Sequence, residues 1–139
     1  MKEFEIELNN GINISPRLSE ATVSKMEGVH PRDIGNGNVW YWLPENEIDG
    51  LKIIFGFCFN IGVLKSINVS ISNPEIYGGS WDDFDEAQEK RRAKDTENWL
   101  GSRGYAVGNY PWGSVWAGYE GKGGFGQSVV RHLITKSST

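Results

Sequence analysis

The chain has 139 residues, 23% of them charged and 38% hydrophobic, with a formal net charge of -4 at pH 7. That length supports one domain over residues 1–139, and six Trp, six Phe and five Tyr supply enough apolar mass to exclude a disordered chain. The acidic balance argues against general affinity for nucleic acid, whose phosphates demand a concentrated basic surface, and is compatible with a basic protein partner.

Residues 1–8 (MKEFEIEL) alternate charged and apolar side chains and lack the continuous apolar run of a signal peptide. They predict a first strand. Asn9-Asn10-Gly11 marks a turn, after which Ile12 and Ile14 extend or restart the strand until Pro16. Ser19 is placed to cap a short helix, with Leu18, Thr22 and Met26 near helical spacing and Gly28 as its stop. Residues 31–38, rich in Gly, Asn and Asp, predict a loop, and residues 39–43 (VWYWL) predict a strand that ends at Pro44. Residues 45–50 predict another turn.

Residues 51–59 place Ile53, Phe55, Phe57 and Phe59 on one face and Ile54, Gly56 and Cys58 on the other, as a central strand requires. This apolar run is broken by Lys52 and is too short to cross a bilayer as a helix, so neither membrane insertion nor secretion is expected. Cys58, the single cysteine, has no partner for an internal disulfide, which suits the cytoplasm. In residues 64–72, Ile67, Val69 and Ile71 alternate with Ser66, Asn68, Ser70 and Ser72. This implies an antiparallel sheet with one face on the core and one open to water.

Ser80-Trp81-Asp82-Asp83 has the form of a helix start, and the helix is expected over about residues 81–100, with Gly101 and Gly104 as the stop. Its apolar face is thin: Glu89-Lys90-Arg91-Arg92-Ala93-Lys94-Asp95 fills the middle. The centre is therefore exposed, or else covers the sheet with arginine stems. Near the C-terminus, Val115, Ala117 and Tyr119 alternate with Trp116, Gly118 and Glu120, and Ser128, Val130 and His132 alternate with Val129, Arg131 and Leu133. These predict paired strands around a Glu120-Gly121-Lys122-Gly123-Gly124 turn. The sum is an α+β fold: a single domain, mainly antiparallel sheet, with one long helix and a short N-terminal helix.

Candidate chemistry is sparse. His30 and His132 could form the general acid and base of a small RNase or hydrolase if they met in space. Cys58 lies inside FGFCFN, where a buried thiol is expected rather than a nucleophile. Asp82, Asp83, Asp85 and Glu86 are four carboxylates without the loop spacing of a calcium site, and suit the N-terminal dipole of the helix better. With two histidines and one cysteine the ligands for zinc are too few, so no metal and no cofactor is expected. Gly121-Lys122-Gly123-Gly124-Phe125-Gly126 has the glycines of a phosphate loop, but neither Ser nor Thr follows the lysine and no helix follows the loop. A turn between strands accounts for it. Trp40, Tyr41, Trp42, Trp112 and Trp116 could stack sugars or bases, although alternation sends about half of such residues inward.

The run Tyr110-Pro111-Trp112-Gly113, followed by Ala117-Gly118-Tyr119-Glu120-Gly121-Lys122-Gly123-Gly124 and Ser128-Val129-Val130-Arg131-His132, resembles bacterial immunity proteins of polymorphic or contact-dependent toxin systems. The resemblance covers about the last third of the chain. It implies a small cytoplasmic α+β protein without catalytic residues that binds a cognate toxin protein, such as a nuclease, and blocks it. On that footing Asp82, Asp83, Asp85, Glu86 and Glu89 are the expected charged contacts, and Trp112, Trp116 and Tyr119 the aromatic anchors. Two alternatives stay open: the hydrolase built on His30 and His132, and a carbohydrate- or ligand-binding module built on exposed tryptophans.

Overall fold

The computed structural model describes residues 4–8, 10–72, 86–120 and 125–132, with the backbone alone for Tyr119, Glu120, Phe125 and His132. A small ladder pairs β1 (Ile6–Glu7) with β2 (Asn13–Ile14), and α1 (Glu20–Ser24) follows. Ser19 caps α1 by accepting from the Thr22 N–H, as its sequence position predicts. Next come β3 (His30–Gly35), β4 (Asn38–Trp42), β5 (Asn46–Ile48), β6 (Leu51–Asn60) and β7 (Val63–Ile71). The helix α2 (Glu86–Ser102) then leads to β8 (Gly108–Tyr110), β9 (Gly113–Glu120) and β10 (Phe125–His132). The main sheet is antiparallel in the order β3-β4-β6-β7-β10-β9-β8, with β5 also paired to β6. The fold is α+β, as the alternation patterns predict.

Two expectations are corrected. Residues 31–38 are not a loop, and residues 45–50 are not only a turn: each supplies a strand and a two-residue hairpin connection. Asn36-Gly37 and Asp49-Gly50 carry positive φ at both positions (57° and 81°, 51° and 82°), the geometry that matches the twist of paired strands. Strand β3 was hard to see because all six of its residues are exposed and one is a proline. It is the edge of the sheet, the place where proline is tolerated.

A third such turn, Ile61-Gly62, joins β6 to β7 with φ of 47° and 79°. A β-branched residue is strained there, and Ile61 is 80% exposed, so little burial offsets the strain. Ile61→Asn should raise stability by about 1 kcal/mol. A lower urea midpoint for the variant would show instead that Ile61 packing over Gly37, whose position lies 2.8 Å from the isoleucine Cγ1 if given a Cβ, outweighs the backbone term.

The core lies on one face of the sheet. Ile53, Phe55, Phe57 and Phe59 of β6 are fully buried, joined by Ile67 and Val69 of β7, Val130 of β10 and Val115 of β9. A bulge lets Leu64 join them: Cys58 pairs with Ser66 but Phe59 pairs with Leu64, so Lys65 is the extra residue and the alternation changes phase there. Phe4, Ile6, Ile14 and Val23 from the N-terminal elements cover part of this face, and α2 covers β7, β10 and β9.

Tyr41 ties α1 to the sheet by donating its hydroxyl to the Glu20 carboxylate. That bond, with burial and the negative charge of Glu20, pushes the phenol up from 10.0 to about 12. The fold thus favours the neutral phenol. Its contribution is complete below pH 10 and is lost as pH rises from 10 to 12. Denaturation midpoints followed over that window should fall in the wild type and fall less in Tyr41→Phe; equal slopes would remove Tyr41 as the cause.

Helix α2 meets the sheet through an unusually polar face made of Glu89, Arg92, Ala93, Thr96, Trp99 and Leu100. Of the two expectations for its centre, Arg92 follows the second, lying 6% exposed against the sheet. Thr96 is fully buried: its hydroxyl donates to the Arg92 carbonyl at 2.8 Å and accepts from the Ile71 N–H at 3.2 Å, which supplies a partner where β7 ends. The helix runs through Gly101 to Ser102 and is capped at Gly104 (φ 96°), with the Tyr105 N–H returning to the Leu100 carbonyl at 2.9 Å. The expected cap at Ser80 and first turn over residues 81–85 lie outside the described residues.

Candidate functional site

Because helices and the N-terminal ladder gather on one face, alternation sends the other half of each strand to a second face, on which no described element packs. Register gives the rows of that face. One runs Arg32, Trp40, Cys58, Ser66, Arg131, Ser114, Asn109, and its neighbour runs His30, Trp42, Gly56, Asn68, Val129, Trp116. Tryptophans therefore stand towards both ends of the sheet, with small and polar side chains between them.

Two glycines shape this surface. A Cβ on Gly56 would lie 2.4 Å from the Trp42 ring, and one on Gly118 would lie 2.7 Å from the Trp116 ring. Both indoles thus lie down over strand backbone where any other residue would lift them. Trp40 and Trp42 are nearly parallel, 12° apart with centroids at 5.5 Å. In the middle, Asn68 donates to Gln127 at 2.9 Å, fixing both amides.

Beside Trp116 the face dips into a groove of about 700 Å³ lined by Val107, Asn109, Ser114, Trp116, Gln127, Val129 and Arg131 among others. Trp116 is 45% exposed and Val107 48%, so its walls include two exposed apolar side chains. Among the described residues Arg131 has no ion-pair partner.

Of the expected contact residues, Asp82, Asp83 and Asp85 lie outside the described residues. Glu86 is exposed on α2 and pairs with Lys90 at 3.3 Å. Glu89 is 4% exposed, accepts from the Gly126 N–H at 2.9 Å and sits 3.5 Å from Arg92, so it holds α2 to β10 rather than standing on the surface. Trp112 is half-buried, stacked on Tyr110 (4.9 Å, 9°) and tilted on Phe4 (6.1 Å), which makes it the rim of the core. Trp116 is 45% exposed on the second face, and the side chain of Tyr119 is outside the described atoms. Glu86 and Trp116 are on opposite sides of the sheet, since α2 packs on the face away from Trp116. One flat contact cannot use both.

The other candidates resolve by position. His30 lies on edge strand β3 and His132 on β10, four strand spacings away, roughly 19 Å across the sheet. Their backbones are too far apart for a shared proton-transfer pair. Cys58, in the Trp40 row, is 5% exposed, and burial pushes its thiol up, away from the reactive thiolate. Among the described residues no group of three His, Cys, Asp or Glu side chains could hold a metal ion, and no helix is long and apolar enough to cross a membrane. Gly121 to Gly124 are outside the described residues, but β9 and β10 pair directly on either side of them, so the segment joins strands. Gly126 serves packing: a Cβ there would fall 1.7 Å from the Glu89 carbonyl oxygen.

The open face was not read from the sequence as a unit. Its signal was the phase of the alternation, in which Trp40, Trp42, Trp116 and Arg131 fall opposite the core-facing residues, and the glycines paired with the indoles. Asn109 and Gln127 were missed because polar strand residues give no sign by themselves of converging with Arg131 on one groove. No protein-family model, curated protein or solved structure matches the chain.

Proposed function

We propose that the protein is a non-catalytic binding protein of the immunity type, cytoplasmic and bacterial, which neutralises a cognate toxin protein by covering it with the open face of its sheet. The observation that carries this is the face on which no described element packs: three partly exposed tryptophans and two arginine positions on an antiparallel scaffold. Trp and Arg are the residues that most often dominate binding energy at protein interfaces, and a sheet holds them in fixed geometry at low entropic cost.

Charge refines the expected partner surface. Along the Trp40 and Trp42 rows the charged side chains are Arg32 and Arg131, while Glu86, Asp95 and Glu97 sit on α2 behind the sheet. A partner docking on the open face presents acidic or apolar groups there, and the net charge of -4 steers a basic partner only at longer range.

Co-expression with the toxin encoded beside this chain tests the proposal. Growth should be rescued and a complex recovered, and Trp116→Ala should weaken binding by about 30-fold, the scale of an aromatic hot spot. Absence of both rescue and complex ends the proposal.

A further inference from the structure

We propose that the groove between β8, β9 and β10 is a binding site for an acidic sugar ring, a hydroxyl-rich ring that carries one carboxylate. Three features of the groove select that chemistry. First, the Trp116 indole lies over Gly118 and remains 45% exposed, a broad apolar surface on which the C–H face of a pyranose can stack. Val107, 48% exposed, and Val129 extend that surface.

Second, the neutral polar groups are Asn109, Ser114 and Gln127. Amides and hydroxyls both donate and accept, which matches a ring of hydroxyls that also do both. Gln127 is already oriented, because its carbonyl oxygen accepts from Asn68 at 2.9 Å and so turns its amide N–H groups elsewhere. Third, Arg131 is the charged residue of the lining. One guanidinium fits one carboxylate bidentately. A nucleotide phosphate or a strongly acidic peptide calls for more cations than the lining holds. The volume of about 700 Å³ exceeds a single ring and leaves room for neighbouring units of an oligosaccharide.

The groove shares Trp116 and Arg131 with the face proposed for the toxin, but its ligand chemistry rests on its own lining and its test needs no toxin. Nitrogen-15 labelled protein is titrated with D-glucuronate, D-galacturonate, a galacturonate trimer, methyl glucoside, a short Asp/Glu peptide and AMP. The Trp116 indole N–H signal, assigned by its loss in Trp116→Phe, should shift saturably with the uronates and at least about tenfold more weakly with the neutral glucoside, the worth of one charge-assisted contact. Arg131→Met should weaken uronate binding by at least about tenfold while Glu86→Ala leaves it unchanged. Tighter binding of the trimer assigns the ring to a polysaccharide, and equal binding assigns it to a free sugar. No saturable shift with any uronate overturns the proposal, as do equal affinity for the neutral glucoside, tighter binding of the peptide or AMP, and unchanged affinity in a folded Arg131→Met variant.

Discussion

Glu89→Ala should destabilise the protein by about 3 kcal/mol, whereas Glu86→Ala, one turn earlier on the same helix, should change stability by less than about 0.5 kcal/mol. The two carboxylates belong to the same acidic stretch of sequence but to opposite environments. Glu86 is exposed and its pair with Lys90 is screened by water. Glu89 is 4% exposed, accepts the Gly126 N–H and faces the 6% exposed Arg92. Truncating it removes the acceptor from a buried amide and the carboxylate from a buried guanidinium, each costly in a medium that cannot replace them with water. Urea denaturation of the two variants side by side decides the matter: similar midpoints would mean that Glu89 is not what holds α2 on β10.

Gly126→Ala is expected to cost about 3 kcal/mol or more. The added Cβ would lie 1.7 Å from the Glu89 carbonyl oxygen and 2.6 Å from the Ala93 nitrogen. Both obstacles are helix backbone, which cannot rotate away, so the whole helix must move off the sheet and abandon the Glu89 and Thr96 contacts. Gly118→Ala is the informative comparison. There the obstacle is the exposed Trp116 ring, which can swing into solvent, so stability should change by less than about 1 kcal/mol while the Trp116 indole signal moves. Equal losses in the two variants would contradict the distinction between backbone and side-chain obstruction.

Much of the fold was legible from side-chain periodicity. Ile53, Phe55, Phe57 and Phe59 marked the central strand, and all four are fully buried. The cap at Ser19, the alternation of β7 and the pairing of β9 with β10 followed from the same rules. Strands β3 and β5 did not, because an exposed edge such as β3 has no apolar rhythm and β5 has only three residues. Their dipeptides Asn36-Gly37 and Asp49-Gly50 were the available signal, and they encode hairpins by tolerating positive φ at both positions. Ile61-Gly62 shows the limit of that rule, since isoleucine occupies the same conformation against its preference.

The candidate site was less legible than the fold. Composition identified tryptophans as important, but Trp112 serves the core rim and Trp116 the open face, a division set by which side of the sheet each occupies. The highly charged helix drew attention by charge density, yet one of its first-turn carboxylates, Glu89, is spent on docking the helix. Buried polar contacts of this kind leave no periodic trace, because a glutamate facing an amide and one facing water are written alike.

We propose that the open sheet face is where the protein meets a toxin partner, and chemical-shift mapping during titration with a candidate toxin tests it most directly. Perturbations should concentrate on Trp40, Trp42, Asn68, Gln127, Trp116 and Arg131, and should weaken in Trp116→Ala. Perturbations confined to the exposed side of α2, around Glu86, Lys90 and Lys94, with the tryptophan rows unmoved, would contradict it.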